Sequence, residues 1–293
     1  MLTEQPNPRS AHIDRLSTLE ILTIMNDEDA TVAAAVRAAL PDIAQAVDTI
    51  AERLRGGGRL IYVGAGTSGR LALLDAVECV PTFSTDPGQV QAIIAGGQAA
   101  LTGAVEGAED DAEAGRAAIR RLGVTARDTV VGVAASGRTP FVIGALEAAQ
   151  TAGAATVAIA CNAPAPLLDV AQVRIAALVG PEVIAGSTRL KAGTAQKMIL
   201  NMLSTASMIR LGKVYGNLMV DLQVTNQKLA RRARQIVSAV GGVSDAEAGR
   251  LLAQTGNQVK PAIVMARRGV TAEEARAMLR AAQGMLGPII DGS

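Results

Sequence analysis

Apolar positions along this chain fall into two periods. Over residues 29–55 they keep helical spacing, at Val36, Leu40, Ile43, Val47 and Ile50, after a shorter helix over 17–25. Gly56-Gly57-Gly58 stops that run. Compact β-rich runs follow at 60–63, 90–94, 130–134, 155–160 and 173–179, separated by helical or turn-forming sequence. Five strands alternating with helices predict an α/β fold, doubly wound, with a mainly five-stranded parallel sheet flanked by helices. A long apolar helix is expected from Lys191 through Met202 and Met208 to about Leu211, its methionines acting as core filler. Beyond Asp221 the chain reads as helical and charged. Ser244-Asp245-Ala246-Glu247 caps the first of three short helices, with turns at Gly256-Asn257 and Gly269. The resulting division is an amino-terminal arm with helices over 1–55, a large α/β domain over 56–242 and a small helical module over 243–293.

Prolines and charges add three local expectations. Residues 3–14, with two prolines and no hydrophobic period, should run extended over a surface and could cover a partner subunit. Pro81 should end the helix that starts near Ser68, which leaves Glu78 near a helix end. The acidic group Glu106, Glu109, Asp110, Asp111 and Glu113 should sit on a solvated helix.

The candidate chemistry begins at Gly64-Ala65-Gly66-Thr67-Ser68-Gly69-Arg70, between an apolar strand and a helix start. Glycines let the backbone close on a ligand, and a helix amino terminus offers unpaired N–H groups to an anion. The spacing approaches the dinucleotide fingerprint G-x-G-x-x-G. Thr67 and Ser68 instead suit a phosphate monoester, whose terminal oxygens need more donors. Ala135-Ser136-Gly137-Arg138-Thr139-Pro140 repeats the arrangement after the third strand, so two hydroxyl-bearing loops should meet at the carboxyl edge of the sheet. A third polar segment, Gly186-Ser187-Thr188-Arg189-Leu190-Lys191, precedes the long apolar helix. Glu182, near the last strand, is a further carboxylate that could line the crevice. Taken alone, Glu78 reads as a helix-end surface carboxylate and Glu109 as one member of a solvated face.

Composition narrows the class. The chain has 293 residues, is 49% hydrophobic but 1% aromatic, and carries a net charge of +1. Neither nucleic acid nor an anionic membrane is therefore an expected partner. Cys79 and Cys161 are isolated, and a single histidine, His12, leaves little for a metal site. No apolar run reaches spanning length and no signal-peptide pattern opens the chain, so a cytoplasmic location is expected.

Several stretches together resemble the N-acetylmuramic acid 6-phosphate etherases, within the sugar isomerase (SIS) superfamily. They are Thr3-Glu4 with Asn7-Pro8, residues 64–71, Asp75-Ala76-Val77-Glu78-Cys79, residues 104–110, residues 135–140 and residues 186–197. The resemblance implies a homodimer that acts on an amino-sugar phosphate without metal or organic cofactor, releasing D-lactate in amino-sugar catabolism and peptidoglycan recycling. It also implies a UBA-like carboxyl-terminal module. On the matching positions it assigns Glu78 as proton donor and Glu109 as acid/base. Substrate contacts fall to Gly66, Thr67, Ser68, Ser136, Gly137, Arg138, Thr139, Ser187, Thr188, Arg189 and Lys191. The chain departs from the family pattern at Val80, where a first proline is usual, and at Ser84, where glycine is common. Ala134 stands where isomerase relatives carry another serine. An aldose–ketose sugar-phosphate isomerase and a non-catalytic sugar-phosphate sensor are the competing readings.

Overall fold

The computed structural model describes residues 1–224 and 226–292. Contacts divide the chain into two compact units, Met1–Val77 with Gly88–Ser204, and Glu78–Pro87 with Thr205–Ser293.

In the first unit, helices α1 (Thr18–Asp29), α2 (Val32–Ala38) and α3 (Leu40–Arg55) lead into strand β1 (Leu60–Gly64). Helix α4 (Gly66–Phe83), β2 (Val90–Ile94), α5 (Ala99–Thr102), α6 (Ala112–Arg121), β3 (Thr129–Val133), α7 (Pro140–Thr151), β4 (Ala155–Ala160), α8 (Pro166–Asp169), β5 (Val173–Ala176) and α9 (Lys191–Arg210) follow. The sheet is parallel throughout, in the order β2-β1-β3-β4-β5. Strand order therefore reverses between β1 and β3, where Gly64 pairs with Val133. In such sheets the crevice at the carboxyl ends beside the reversal is the ligand position. Alternate residues of β1 serve opposite faces. Ile61 and Val63 join the cluster built on Ile119, Phe141, Val142 and Leu146 of α6 and α7. Tyr62 turns the other way, and its hydroxyl donates to Asp75 of α4 at 2.9 Å.

Four local expectations are corrected. The 29–55 run is two helices after the end of α1, because Pro41 is tolerated in the first turn of α3 but not in a helix interior. Pro81 does not end α4. The ring removes one donor, directed at the carbonyl of exposed Val77, and the helix continues to Phe83 with Ser84 N–H bonded to Val80 O at 3.0 Å. The acidic group is not on one helix: Glu106, Glu109 and Asp110 lie in turns, and α6 starts after Asp111, whose side chain accepts from Ala114 N–H. The arm is neither extended nor free. It forms short 3-10 turns at Leu2–Glu4, Pro8–Ser10 and Ile13–Arg15, with Thr3, Asn7 and Ser10 buried. Thr3 and Asn162 are doubly bonded, Ser10 donates to Val183 O at 2.7 Å, and Gly186 N–H donates to Thr3 O. The arm thus covers its own chain.

The second unit contains a two-stranded hairpin, β6 (Val214–Tyr215) and β7 (Leu218–Met219), which the sequence pattern did not predict. Helices α10 (Gln227–Gly241), α11 (Asp245–Gln254), α12 (Val259–Arg268), α13 (Ala272–Ala281) and α14 (Gly287–Ile290) share one apolar core with Val220 and Leu222. Because α10 buries Ala233, Ile236 and Val237 in that core, the unit takes in residues ahead of 243, where the sequence pattern placed its division. Asp221 accepts from Lys213 at 3.2 Å and from buried Lys260 at 2.7 Å. A cleft of about 590 Å³ lies beside Lys260 and Arg280, and no predicted site residue lines it.

Candidate functional site

The first loop is a backbone constriction. A Cβ on Gly64 would lie 2.7 Å from Gly69 N, and one on Gly69 would lie 2.6 Å from Ile94 Cγ1, so both positions demand glycine. That close approach lets α4 begin at Gly66, whose φ is +51°, directly after β1. Gly66 is exposed, Thr67 half-buried and Ser68 buried. Ser68 Oγ donates to Gln196 Oε1 of α9 at 2.9 Å. Arg70 is engaged by backbone: its guanidinium donates to the carbonyls of Ala100 and Gly103, which fixes the chain entering the acidic turns.

The second loop leaves β3 beside the first. Ser136 Oγ accepts from Arg138 N–H at 3.1 Å, and Gly137 has φ +66° with Ala165 Cβ only 2.5 Å from where a Cβ would stand. Ala135 O accepts from Asn162 Nδ2 at 2.9 Å and from Cys161 N–H, and Leu167 N–H holds Gly137 O. Thr139 caps α7 through its backbone, its side chain uncommitted to the cap, with Pro140 in the first turn. Ser136 and Thr139 are half-buried and Arg138 is exposed. Ala134 is buried. Two helix amino termini, α4 and α7, therefore open beside the strand reversal with hydroxyls at each, an arrangement able to receive an anion.

Glu109 belongs to the surroundings of the second loop. Its carbonyl accepts from Phe141 N–H in the first turn of α7 at 3.0 Å, while its side chain is exposed. Glu78 is exposed on α4 and opens the second unit's share of that helix.

The third segment divides. Ser187 and Thr188 are half-buried and Arg189 is exposed. Thr188 O accepts from Gly193 N–H at 2.9 Å, and Thr67 Cγ2 stands 3.7 Å from where a Cβ on Gly193 would be, so this segment reaches the first loop. Lys191 and Glu182 are both buried. Glu182 is fully buried, and its two oxygens accept from the N–H groups of Lys191 and Ala192, each at 2.9 Å. It caps α9 with both oxygens. Lys191 is 2% exposed, with its ammonium 2.5 Å from Glu28 Oε2. Glu28 also accepts from Asn7 and Arg9. Burial pulls the Glu28 carboxyl up, but the hydrogen bonds from Lys191 and Asn7 and the charges of Lys191 and Arg9 outweigh it and hold the group below its usual value. Lys191 is thus held in a buried ion pair with Glu28.

Sequence reasoning missed Gln196 and Asp75 as part of this framework. Asp75 is buried under the first loop's helix and accepts from Tyr62, Asn201 and Ser204. Desolvation raises its pKa against those hydrogen bonds. A lone acid inside the apolar run 71–77 was the available signal. Cys161 is buried, and burial with the Glu182 charge pushes its thiol to about 12, so it packs rather than reacts.

Comparison with known proteins agrees with this geometry. Residues 42–150 match the glucokinase regulatory protein N-terminal SIS domain, 113–206 the SIS domain, and 216–260 the C-terminal lid domain of glucokinase regulatory protein. N-acetylmuramic acid 6-phosphate etherases of Yersinia pestis (strain Pestoides F) and Yersinia pseudotuberculosis serotype O:1b (strain IP 31758) are each 56% identical over 286 residues, covering 98% of this chain and 97% of the relative. The chain belongs to the N-acetylmuramic acid 6-phosphate etherase family. A phosphoheptose isomerase from Francisella tularensis superposes with a TM-score of 0.52 at 19% identity, covering 66% of this chain and 100% of that one. That likeness is one of fold, and it agrees with the SIS domains that the family models place in the first unit. Among the described residues no helix is long and apolar enough to cross a membrane.

Proposed function

We propose that this chain is a carbon–oxygen lyase that cleaves the D-lactyl ether of N-acetylmuramic acid 6-phosphate, giving N-acetylglucosamine 6-phosphate and D-lactate. The observation that carries the reading is 56% identity to etherases over 98% of the chain, combined with two hydroxyl-bearing helix starts at the β1/β3 reversal. The phosphate is taken by Thr67, Ser68, Ser136 and Thr139 with the N–H groups around Gly66 and Gly137. Ser187, Thr188, Arg138 and Arg189 serve the remainder of the sugar.

Opening the sugar ring exposes an aldehyde that acidifies the proton at C2. Glu109 removes that proton, the C3–O bond to lactate breaks, and its electron pair leaves on the lactyl oxygen, which Glu78 protonates. Water then adds across the C2=C3 bond, its hydroxyl to C3 and a proton to C2. Exposure suits both carboxylates to proton exchange with solvent. The assembly is a homodimer in the cytoplasm. Leu19, Leu22, Leu74 and Val77 are exposed apolar side chains that support pairing, a role the docked arm no longer supplies.

The test is incubation with N-acetylmuramic acid 6-phosphate and measurement of D-lactate. Lactate equal to the N-acetylglucosamine 6-phosphate formed is expected. A rearranged sugar phosphate without lactate, or tight binding without turnover, overturns the reading. Unphosphorylated N-acetylmuramic acid should be a very poor substrate, because it forfeits every phosphate contact at once.

A further inference from the structure

Gln196 is a buried amide used on one side only. It lies in the second turn of α9, 1% exposed, and its Oε1 accepts the Ser68 proton at 2.9 Å. Its Nε2 is buried without a hydrogen-bond partner. An unpaired buried N–H group is costly and native structures retain few of them, so this one calls for a role.

The hydrogen bond also orients Ser68 wrongly for an anion. A hydroxyl has one proton, and here it is spent on Gln196; a phosphate dianion offers acceptors only and needs that proton. Turning the Gln196 amide by half a revolution about its last torsion exchanges Oε1 and Nε2. Nε2 then donates to Ser68 Oγ, and the Ser68 proton is released to the loop. Without a ligand, either orientation leaves one amide atom unpaired. With an anion on the loop, only the turned amide lets Ser68 make a charge-assisted bond.

We propose that Gln196 is a positioning residue for the first phosphate loop, its amide turning on substrate binding so that Nε2 donates to Ser68 and Ser68 donates to the phosphate. The position of α9 makes this possible, since its first turn packs on the first turn of α4 at Gly193 and Thr67. The inference rests on the reading of residues 64–70 as a phosphate site.

The test compares the wild-type chain, Ser68→Ala, Gln196→Met and the double variant, using competitive inhibition by inorganic phosphate together with KM and kcat for N-acetylmuramic acid 6-phosphate. Each single variant should weaken phosphate inhibition about tenfold or more, with KM rising more than kcat falls. The double variant should be no weaker than Ser68→Ala, because Gln196 acts through Ser68. Gln196→Glu keeps the shape and the acceptor but lacks the donor, so it should also be weak, and thermal melts check that each variant folds. Additive losses in the double variant, wild-type inhibition in Gln196→Glu, or an effect on kcat alone would each overturn the proposal. If Gln196→Met is normal while Ser68→Ala is impaired, this inference fails and the phosphate loop stands. If Ser68→Ala itself is normal, the loop reading fails and the inference with it.

Discussion

Glu28→Gln should destabilise the first unit out of proportion to its conservative shape. Lys191 keeps a side-chain exposure of 3% and Glu28 one of 7%, and their charged atoms are 2.5 Å apart. The substitution leaves an ammonium buried without its anion and sets an amide against it. Breaking a buried pair from one side costs about 3–5 kcal/mol, several times the value of an exposed pair. For a unit of this size that corresponds to a fall of roughly 6–20 °C in melting temperature. The arm should loosen too, because Glu28 also accepts from Asn7 and Arg9. Circular dichroism melts give the first quantity and limited proteolysis ahead of α1 the second. Glu28→Gln combined with Lys191→Met should recover most of the loss, since it removes the stranded charge. The sign with pH follows from the lowered carboxyl: its contribution is complete above the ordinary value of 4.5 and is lost as pH falls through the folded-state value, so the gap between wild type and variant should close only in acid. A fall of less than about 2 °C at neutral pH would place the pair in solvent and refute the argument.

The site predictions are more direct. Glu78→Gln should cut kcat at least about a hundredfold while leaving inhibition by inorganic phosphate intact; near-normal turnover would remove it as the proton donor. Glu109→Gln should abolish solvent-deuterium exchange at C2 along with turnover, and retained exchange would assign the base elsewhere. Ser136→Ala should raise KM by about tenfold or more with a smaller change in kcat, since the phosphate does not react. Light scattering should give twice the mass of one chain; an active monomer would refute the dimer.

What could be read in advance follows from the range of the interaction. Strand runs, glycine turns and helix caps are short-range events, so the five parallel strands and both hydroxyl loops were legible in Gly64–Ser68 and Ser136–Thr139 as amino acids in a row. Pro81 misled because a proline's cost depends on whether the carbonyl it deprives can reach water, and exposure is a property of the fold. The third segment shows the limit of local reading more strongly. Lys191 beside Ser187, Thr188 and Arg189 has the composition of a phosphate site, but its ammonium is neutralised by Glu28, 163 residues earlier, and its N–H by Glu182, nine residues earlier. Composition reports that a cation is present and leaves open which anion claims it. Long-range pairing of the same kind brings Gln196 to Ser68 across 128 residues. Helix α9 therefore meets the first loop through the Gln196 amide, while its charged first residue pairs with Glu28 beside the amino-terminal arm. A variant that frees Lys191 from Glu28 should consequently weaken phosphate binding only as far as the arm and α9 shift together, and the rescue by Lys191→Met should restore affinity and melting temperature in parallel. If stability returns while affinity does not, Lys191 contacts the substrate after all.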